Sequence, residues 1–338
     1  MSEYKHNIGD LCQMQSLPLH SKIRMTEQRI EGWIDEFGED GVYIAFSGGK
    51  DSTVLLDIIR NRMGYKNIPA VFVDVPTQFI ELREFVKTWK DVEIIKPKIS
   101  FMDICEKYGF PLISKEVALK VVRIHKNPET STYWKYFDGS VKGKSVFDCS
   151  KYRFIIDAPF NISHQCCEEM KHKPSFEYGN KTHRKPIVAT MADESKSRTK
   201  TWLQHGCNAF EAKRKISAPI SFWTEQDILT YIHTYSIPIC SVYGKVVENY
   251  EAEGLLDGQV TFDDFKCDKI YKTTGCNRTG CALCGFGCHL GNSRYRFAEL
   301  RETHPKMYNL LDVVKNNGVT FREAIEWTNE HGNLDIKL

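Results

Sequence analysis

Between Ser21 and Phe37 the apolar residues Ile23, Ile30, Trp33, Ile34 and Phe37 recur at the spacing of one helical face, and Gly38 with Gly41 closes the run. An amphipathic leading helix is predicted there. Val42 to Phe46 is then a short continuous apolar run suited to a buried strand, Ser47 to Lys50 a glycine-containing turn, and Asp51 to Met63 a helix with Val54, Leu55, Ile58 and Ile59 on one side. The alternation continues through a strand over Ala70 to Val75, a helix over Ile80 to Trp89, a strand over Val92 to Ile95, and helices over Phe101 to Tyr108 and Ser114 to His125. Strands alternating with helices predict an α/β fold, a parallel twisted sheet with helices on both faces.

The regularity stops at Asn127 to Ser150, where Pro, Gly, Ser and aromatics follow no period; an inserted loop or lid is expected. Arg153 to Ile156 and Pro186 to Thr190 read as further strands. Thr224 caps a helix reaching Tyr235, with Asp227 at its third position as in a capping box, and Ile237-Pro238 stops it. An acidic, glycine-containing segment, Glu248 to Gly258, leads to a Cys and Gly cluster over Gly275 to Gly291. Helices around Ser293 to Thr303 and Thr320 to Glu330 follow. The expected organisation is a helical lead-in over 1–40, a nucleotide-binding domain over 41–238, and a Cys-rich and helical C-terminal region over 239–338.

With 338 residues, 41% of them apolar, the chain is long enough for two domains, and disordered, collagenous and coiled-coil classes are excluded. No membrane span is present, and Met1 to His20 is too polar for a signal peptide and lacks an Arg-rich transit pattern, so a cytoplasmic location is expected. There the 12 cysteines stay reduced, and close spacings point to metal ligation or redox chemistry before disulfides. A net charge of +2 gives no global case for nucleic acid; any such case must be local.

Ser47-Gly48-Gly49-Lys50-Asp51-Ser52-Thr53 sits where an apolar strand feeds a helix, the place where backbone N–H groups converge and the helix dipole favours an anion. Two glycines admit phosphate oxygens close to the backbone, Ser47, Ser52 and Thr53 add hydroxyls, and Lys50 adds a point charge. The spacing is not that of the nucleoside-triphosphatase loop. It resembles the PP-loop of the ATP pyrophosphatase superfamily, which includes the phosphoadenosine phosphosulfate (PAPS) reductase family, tRNA thiolation enzymes and DNA phosphorothioation sulfurtransferases. That resemblance implies an adenine nucleotide alpha hydrolase-like fold, a nucleotide whose terminal phosphates lie on the loop, and cleavage at the α-phosphorus. Carried over, Ser47, Gly48, Gly49 and Ser52 bind phosphate and Asp51 organises Mg²⁺ or the loop.

Cys276-x4-Cys281-x2-Cys284-x3-Cys288 packs four thiols into a segment whose large apolar residues are Leu283, Phe286 and Leu290, too few to order it by burial alone. A metal site is favoured. A zinc ribbon needs two Cys-x2-Cys knuckles and one is present, so an iron-sulfur cluster with ligands from more than one segment fits better. Cys166-Cys167-x3-Lys171-x2-Pro174 resembles the sulfonucleotide reductases that carry a [4Fe-4S] cluster, and implies ligation by Cys166, Cys167, Cys281 and Cys284 with Lys171 beside cluster and substrate. Cys276, Cys281 and Cys284 with one of Cys166 and Cys167 is an equal alternative; Cys288 is the first to be dropped.

Ala192 to Arg198 resembles the family's Arg-x-x-Glu-Ser-x-x-Arg loop, with Met191 in place of its first arginine; Arg198 is a candidate to grip phosphate or sulfate. Asp74-Val75-Pro76 stands where the reductases have Asp-Thr-Gly, and Trp223 in Trp-Thr-x-x-Asp reads as core packing. Lys196 to Lys215 holds six basic residues and one acidic, with Trp202 and Phe210 between them, a composition that suits nucleotide phosphates, a tRNA or DNA backbone with stacked bases, or equally a charged solvated face. The leading expectation is an ATP pyrophosphatase that adenylates an acceptor and assists sulfur transfer from a donor protein, with Lys50, Asp51 and Lys171 in the chemistry. Alternatives are a thiol-dependent PAPS reductase, against which stands the lack of a cysteine after Cys288, and a non-catalytic nucleotide or nucleic-acid binding module.

Overall fold

The computed structural model describes residues 4–145, 147–249 and 269–338, so most of the acidic segment Glu248 to Gly258 lies outside the described residues. Strands β1 (Val42–Ala45), β2 (Ala70–Val73), β3 (Val92–Ile95), β4 (Leu112–Ile113), β5 (Lys185–Val188), β6 (Val246–Glu248), β7 (Tyr271–Thr273) and β8 (Gly285–Phe286) follow one another, with helices between those from β1 to β6. The helices preceding β5 include α1 (Ile8–Gln15), α2 (Leu19–Phe37), α3 (Lys50–Asp57), α4 (Ile80–Lys87), α5 (Phe101–Tyr108) and α6 (Lys115–Lys126). The chain divides into two compact units, 1–74 with 79–95 and 175–279, and 75–78 with 96–174 and 280–338.

The first unit is built on a sheet of order β3-β2-β1-β5 with every pair parallel. Alternation along each strand decides which helices cover which face. Val42, Ile44, Ala70 and Phe72 point into a core with Trp33 of α2, Val54 and Leu55 of α3, and Ile228 and Tyr231 of the helix Glu225–Tyr235. Tyr43 and Val71 point the other way, onto Tyr178 of the helix Lys173–Thr182. Both faces are therefore covered by helices, the α/β architecture that the pattern predicts.

Ser114 caps α6, and Thr224 with Asp227 caps Glu225–Tyr235 reciprocally, the latter as its sequence predicts. The helix predicted over Asp51 to Met63 changes pitch, α3 giving way to a wider π turn at Ile58–Arg62. α1 goes beyond the sequence reading; Asn7 and Asp10 hold its start by reciprocal side-chain bonds. Trp223 is core, its indole N–H donating to Thr26 Oγ1 at 2.9 Å.

In the second unit the predicted strand Arg153 to Ile156 is corrected. Ser150–Asp157 is a pair of 3₁₀ turns that meet at a kink at Tyr152, and Tyr152, Ile155 and Ile156 bury together without the alternation a half-buried strand requires. The Asn127 to Ser150 segment is fastened to α6, because Lys120 Nζ reaches Glu116 Oε1 and Phe147 O, each at 2.7 Å, and Cys149 Sγ at 3.3 Å. β4 and β8 pair in parallel, Leu112 opposite Gly285 and Ile113 opposite Phe286. No helix among the described residues is long and apolar enough to cross a membrane.

Candidate functional site

The sheet order reverses between β1 and β5, and in open parallel sheets the crevice beyond the carboxyl ends at such a point is where ligands bind. The segments that leave those two strands are the Ser47–Thr53 loop and the Ala192–Arg198 turn, the two stretches the sequence marks for phosphate. Gly48 has φ 73°, and a Cβ there would lie 2.9 Å from Val86 Cγ2, so both conformation and space require glycine. The hydroxyls close the turn: Ser47 Oγ and Ser52 Oγ are 3.0 Å apart, and Ser52 and Thr53 donate to Gly49 O at 2.9 and 3.0 Å.

Lys50 is 3% exposed, and its ammonium is already engaged, donating to Asn277 O at 2.7 Å and pairing with Glu225 at 3.0 Å. Asp51 stands differently. Its Oδ1 is buried without a hydrogen-bond partner, and burial pushes its carboxyl above the usual range although Lys50, Arg278 and Arg198 act to lower it; Glu225 adds to the rise. Arg198, on the helix Lys196–His205 capped by Ser195, pairs with Glu194. Burial and then Arg278 weaken its hold on its proton, while Asp51 strengthens it.

Lys50, Asp51 and Arg198 are thus one cluster, joined by residues that sequence reasoning passed over: Glu225, Tyr243, Asn277, Arg278 and Thr279. Tyr243 accepts the Lys50 N–H at 3.3 Å, and burial pushes its phenol up to about 12. These five come from three separate segments, and apolar periodicity carries no signal for such a meeting.

In the second unit a pocket is lined by Cys166, Cys167, Cys281 and Cys284, with Phe101, Met170 and Leu283 among its apolar walls. The first pair sits on a short helix whose π turn follows at Glu168–His172; the second is held from three sides. Ala282 donates to Thr77 O at 2.8 Å, Arg296 to Cys284 O at 2.7 Å, and Gly287 to Ile113 O at 2.9 Å. A hydrogen bond from Cys166 holds Cys167 towards the thiolate and Cys166 up, with Lys115 and Lys171 adding positive charge. Burial opposes the charge on Lys171, yet Cys281 and Cys167 beside it keep its ammonium above the ordinary range. Burial pushes Cys284 up to about 11.

Thr77 Oγ1, on the wall of that pocket, is buried with no partner. Among the described residues no group of three or more His, Cys, Asp or Glu closes around a single ion. Cys276 is an exposed residue of the first unit and is not on the pocket wall; Cys288 is buried and points its Sγ to Cys284 O at 3.2 Å. The β4–β8 pairing leaves no side-chain room at Gly285, where a Cβ would lie 2.6 Å from Leu112 Cδ2 and 2.7 Å from Pro111 O. Gly285→Ala is expected to cost about 1–3 kcal/mol, as overpacking does, and to loosen the Cys281–Cys284 turn. Thermal melting checks the first effect, and faster thiol labelling of Cys281 and Cys284 the second.

The basic stretch Lys196 to Lys215 presents charge without rings. Trp202 is 2% exposed and stacks on His6 at 4.7 Å, and Phe210 packs between Trp33 and Phe37. Base stacking by these two aromatics, one of the readings the sequence leaves open, is corrected: both rings pack inward.

Residues 41–126 and 113–285 match the family model described as the phosphoadenosine phosphosulfate reductase domain. Sulfate adenylyltransferase subunit 2 of Photobacterium profundum is 28% identical over 229 residues, 64% of this chain and 65% of that protein. The protein of the same name from Vibrio atlanticus is 27% identical over 215 residues, 60% of each. The match thus spans less than two thirds of these relatives' length. A crystal structure of phosphoadenylyl-sulfate (PAPS) reductase from Candida auris, a phosphate complex, superposes with a TM-score of 0.37 at 13% identity, over 64% of this chain and 82% of that one.

Proposed function

Because the chain belongs to the phosphoadenosine phosphosulfate reductase domain family, we propose that it is an adenine-nucleotide enzyme that transfers the adenylyl group of ATP to an acceptor, releases pyrophosphate and assists sulfur transfer. The observation that carries this reading is the cluster at the β1/β5 reversal, where a buried carboxylate oxygen without a partner lies between a glycine loop and two arginines. A triphosphate with a divalent cation satisfies each part. Loop N–H groups and the Arg198 fork take phosphate oxygens, and the Asp51 carboxylate takes the cation. Lys50, held by Glu225 and Asn277, fixes the start of α3 and supplies positive charge there. Mg²⁺ would supply neutralisation of the charge that develops on the departing pyrophosphate.

The reading extends to a [4Fe-4S] cluster on Cys166, Cys167, Cys281 and Cys284. All-thiol donors, a thiolate-inclined Cys167, an orphaned Thr77 hydroxyl and two neighbouring lysines suit a soft, anionic centre. When bound, the cluster would supply a place for sulfur to bind or relay. Lys171 would hold an anionic substrate group against it.

The relatives' name, an adenylyltransferase subunit, favours adenylyl transfer over reduction and adds a partner chain to the proposal. A sulfur-donor protein, and a tRNA or DNA acceptor on the exposed charges of Lys196, Lys200, Lys213 and Arg214, complete it. The test is calorimetric titration of anaerobically purified protein with ATP·Mg²⁺ and, separately, PAPS. ATP is expected to bind at least about tenfold more tightly, a difference of about 1.4 kcal/mol. The reverse order would instead make the protein a PAPS reductase, the reading that Cys166-Cys167-x3-Lys171 favours.

A further inference from the structure

We propose that Arg278 is a second guanidinium for the terminal phosphates of the bound nucleotide, carried to the phosphate loop by a built strap, residues 273–279. The proposal rests on the nucleotide reading above, which gives Arg278 no role of its own. Both neighbours of Arg278 are tied to the start of α3. Asn277 O accepts Lys50 Nζ at 2.7 Å, and Thr279 Oγ1 lies 2.6 Å from the Tyr243 hydroxyl, which accepts the Lys50 N–H at 3.3 Å. The backbone of Arg278, between two such anchors, has little choice of place.

The strap is held by its own bonds as well. Gly275 N donates to Tyr243 O at 2.9 Å, Cys276 N to Val242 O at 2.8 Å, and Thr273 Oγ1 to Cys276 O at 3.1 Å. A Cβ at Gly275 would overlap Val242 O, and one at Gly244, which has φ 67°, would overlap Thr274 Oγ1. Backbone contact of that closeness fixes the strap against the Ser241–Tyr243 turn. Gln226, next to the Glu225 that pairs with Lys50, adds a bond in each direction to Tyr271 at the start of β7, 2.8 and 2.9 Å long.

Arg278 is exposed and has no hydrogen-bond or ion-pair partner among the described residues, yet it lies close enough to Arg198 and Asp51 to act on the charge of both. Arg198 shares its guanidinium with Glu194, whereas Arg278 offers its whole fork to a ligand beside it. Two like charges side by side repel, and a polyphosphate between them turns that repulsion into charge-assisted hydrogen bonds. A nucleoside monophosphate, whose phosphate is not the terminal one of ATP, gains nothing from this group.

The protein and its Arg278→Ala and Arg278→Lys variants are titrated calorimetrically with ATP·Mg²⁺, inorganic pyrophosphate and AMP. Arg278→Ala is expected to weaken ATP and pyrophosphate about tenfold or more and to leave AMP within about twofold, with Arg278→Lys between, since lysine keeps the charge and loses the fork. Equal ATP affinity in wild type and Arg278→Ala overturns the assignment and leaves the nucleotide reading standing, as does an equal loss for AMP. A wild-type protein that binds none of the three overturns both. The residue is exposed, so an unchanged melting temperature in Arg278→Ala is expected and separates these outcomes from misfolding.

Discussion

Asp51→Asn is expected to raise the melting temperature of the nucleotide-free protein while cutting ATP-dependent pyrophosphate release by about a hundredfold or more, the scale of losing a key electrostatic group. The sign follows from linkage. Burial lifts the folded-state pKa of Asp51 above its value in the unfolded chain, so between those two values the folded state binds more protons, and stability falls as pH rises through the window. Above the window the whole cost is present, and a neutral amide removes it. Melting both proteins across pH without nucleotide checks this: the gap should open above the usual carboxylate range and close below it. A variant less stable than wild type at neutral pH would mean that Lys50, Arg198 and Arg278 outweigh burial.

Serine at Cys166, Cys167, Cys281 or Cys284 is expected to lower the iron and sulfide of anaerobically purified protein about tenfold or more, with loss of the broad visible absorbance of a cluster. Metal ligation of this kind contributes on the order of 10 kcal/mol, so the same variants should also melt earlier. Cys276→Ser and Cys288→Ser decide the ligand set, and both are expected to keep their iron because neither residue is on the pocket wall. Loss of iron in Cys276→Ser with retention in Cys166→Ser or Cys167→Ser would favour the alternative set. Stoichiometric zinc without iron in the wild type would remove the cluster altogether.

Much of the frame was legible because it is local. A cap such as Thr224, and a run such as Phe101 to Tyr108, announce themselves within a few residues. Arg153 to Ile156 misled for the same reason: four residues are too few to separate alternation from helical spacing, and burial of Tyr152 with Ile155 and Ile156 decided it. The glycine loop was visible as a motif, yet the engagement of Lys50 by Glu225 and Asn277 was not, because charge pairing across some 200 residues leaves no pattern. Trp202 and Phe210 show the converse. Their position in a basic stretch suggested exposure, and their neighbours in the fold give them to the core.

The central strand of the sheet meets its second neighbour late. Val42 of β1 pairs with Lys185 of β5. At about 5–20 residues per second, the roughly 140 residues between them occupy a ribosome for on the order of ten seconds. Throughout that interval one edge of β1 carries unpaired N–H and C=O groups beside Val42, Tyr43 and Ile44, side chains that are all buried once folding is complete. The nascent chain is therefore most prone to stick to its neighbours while it is still tethered, and the yield of soluble protein becomes a contest between elongation and edge-to-edge association.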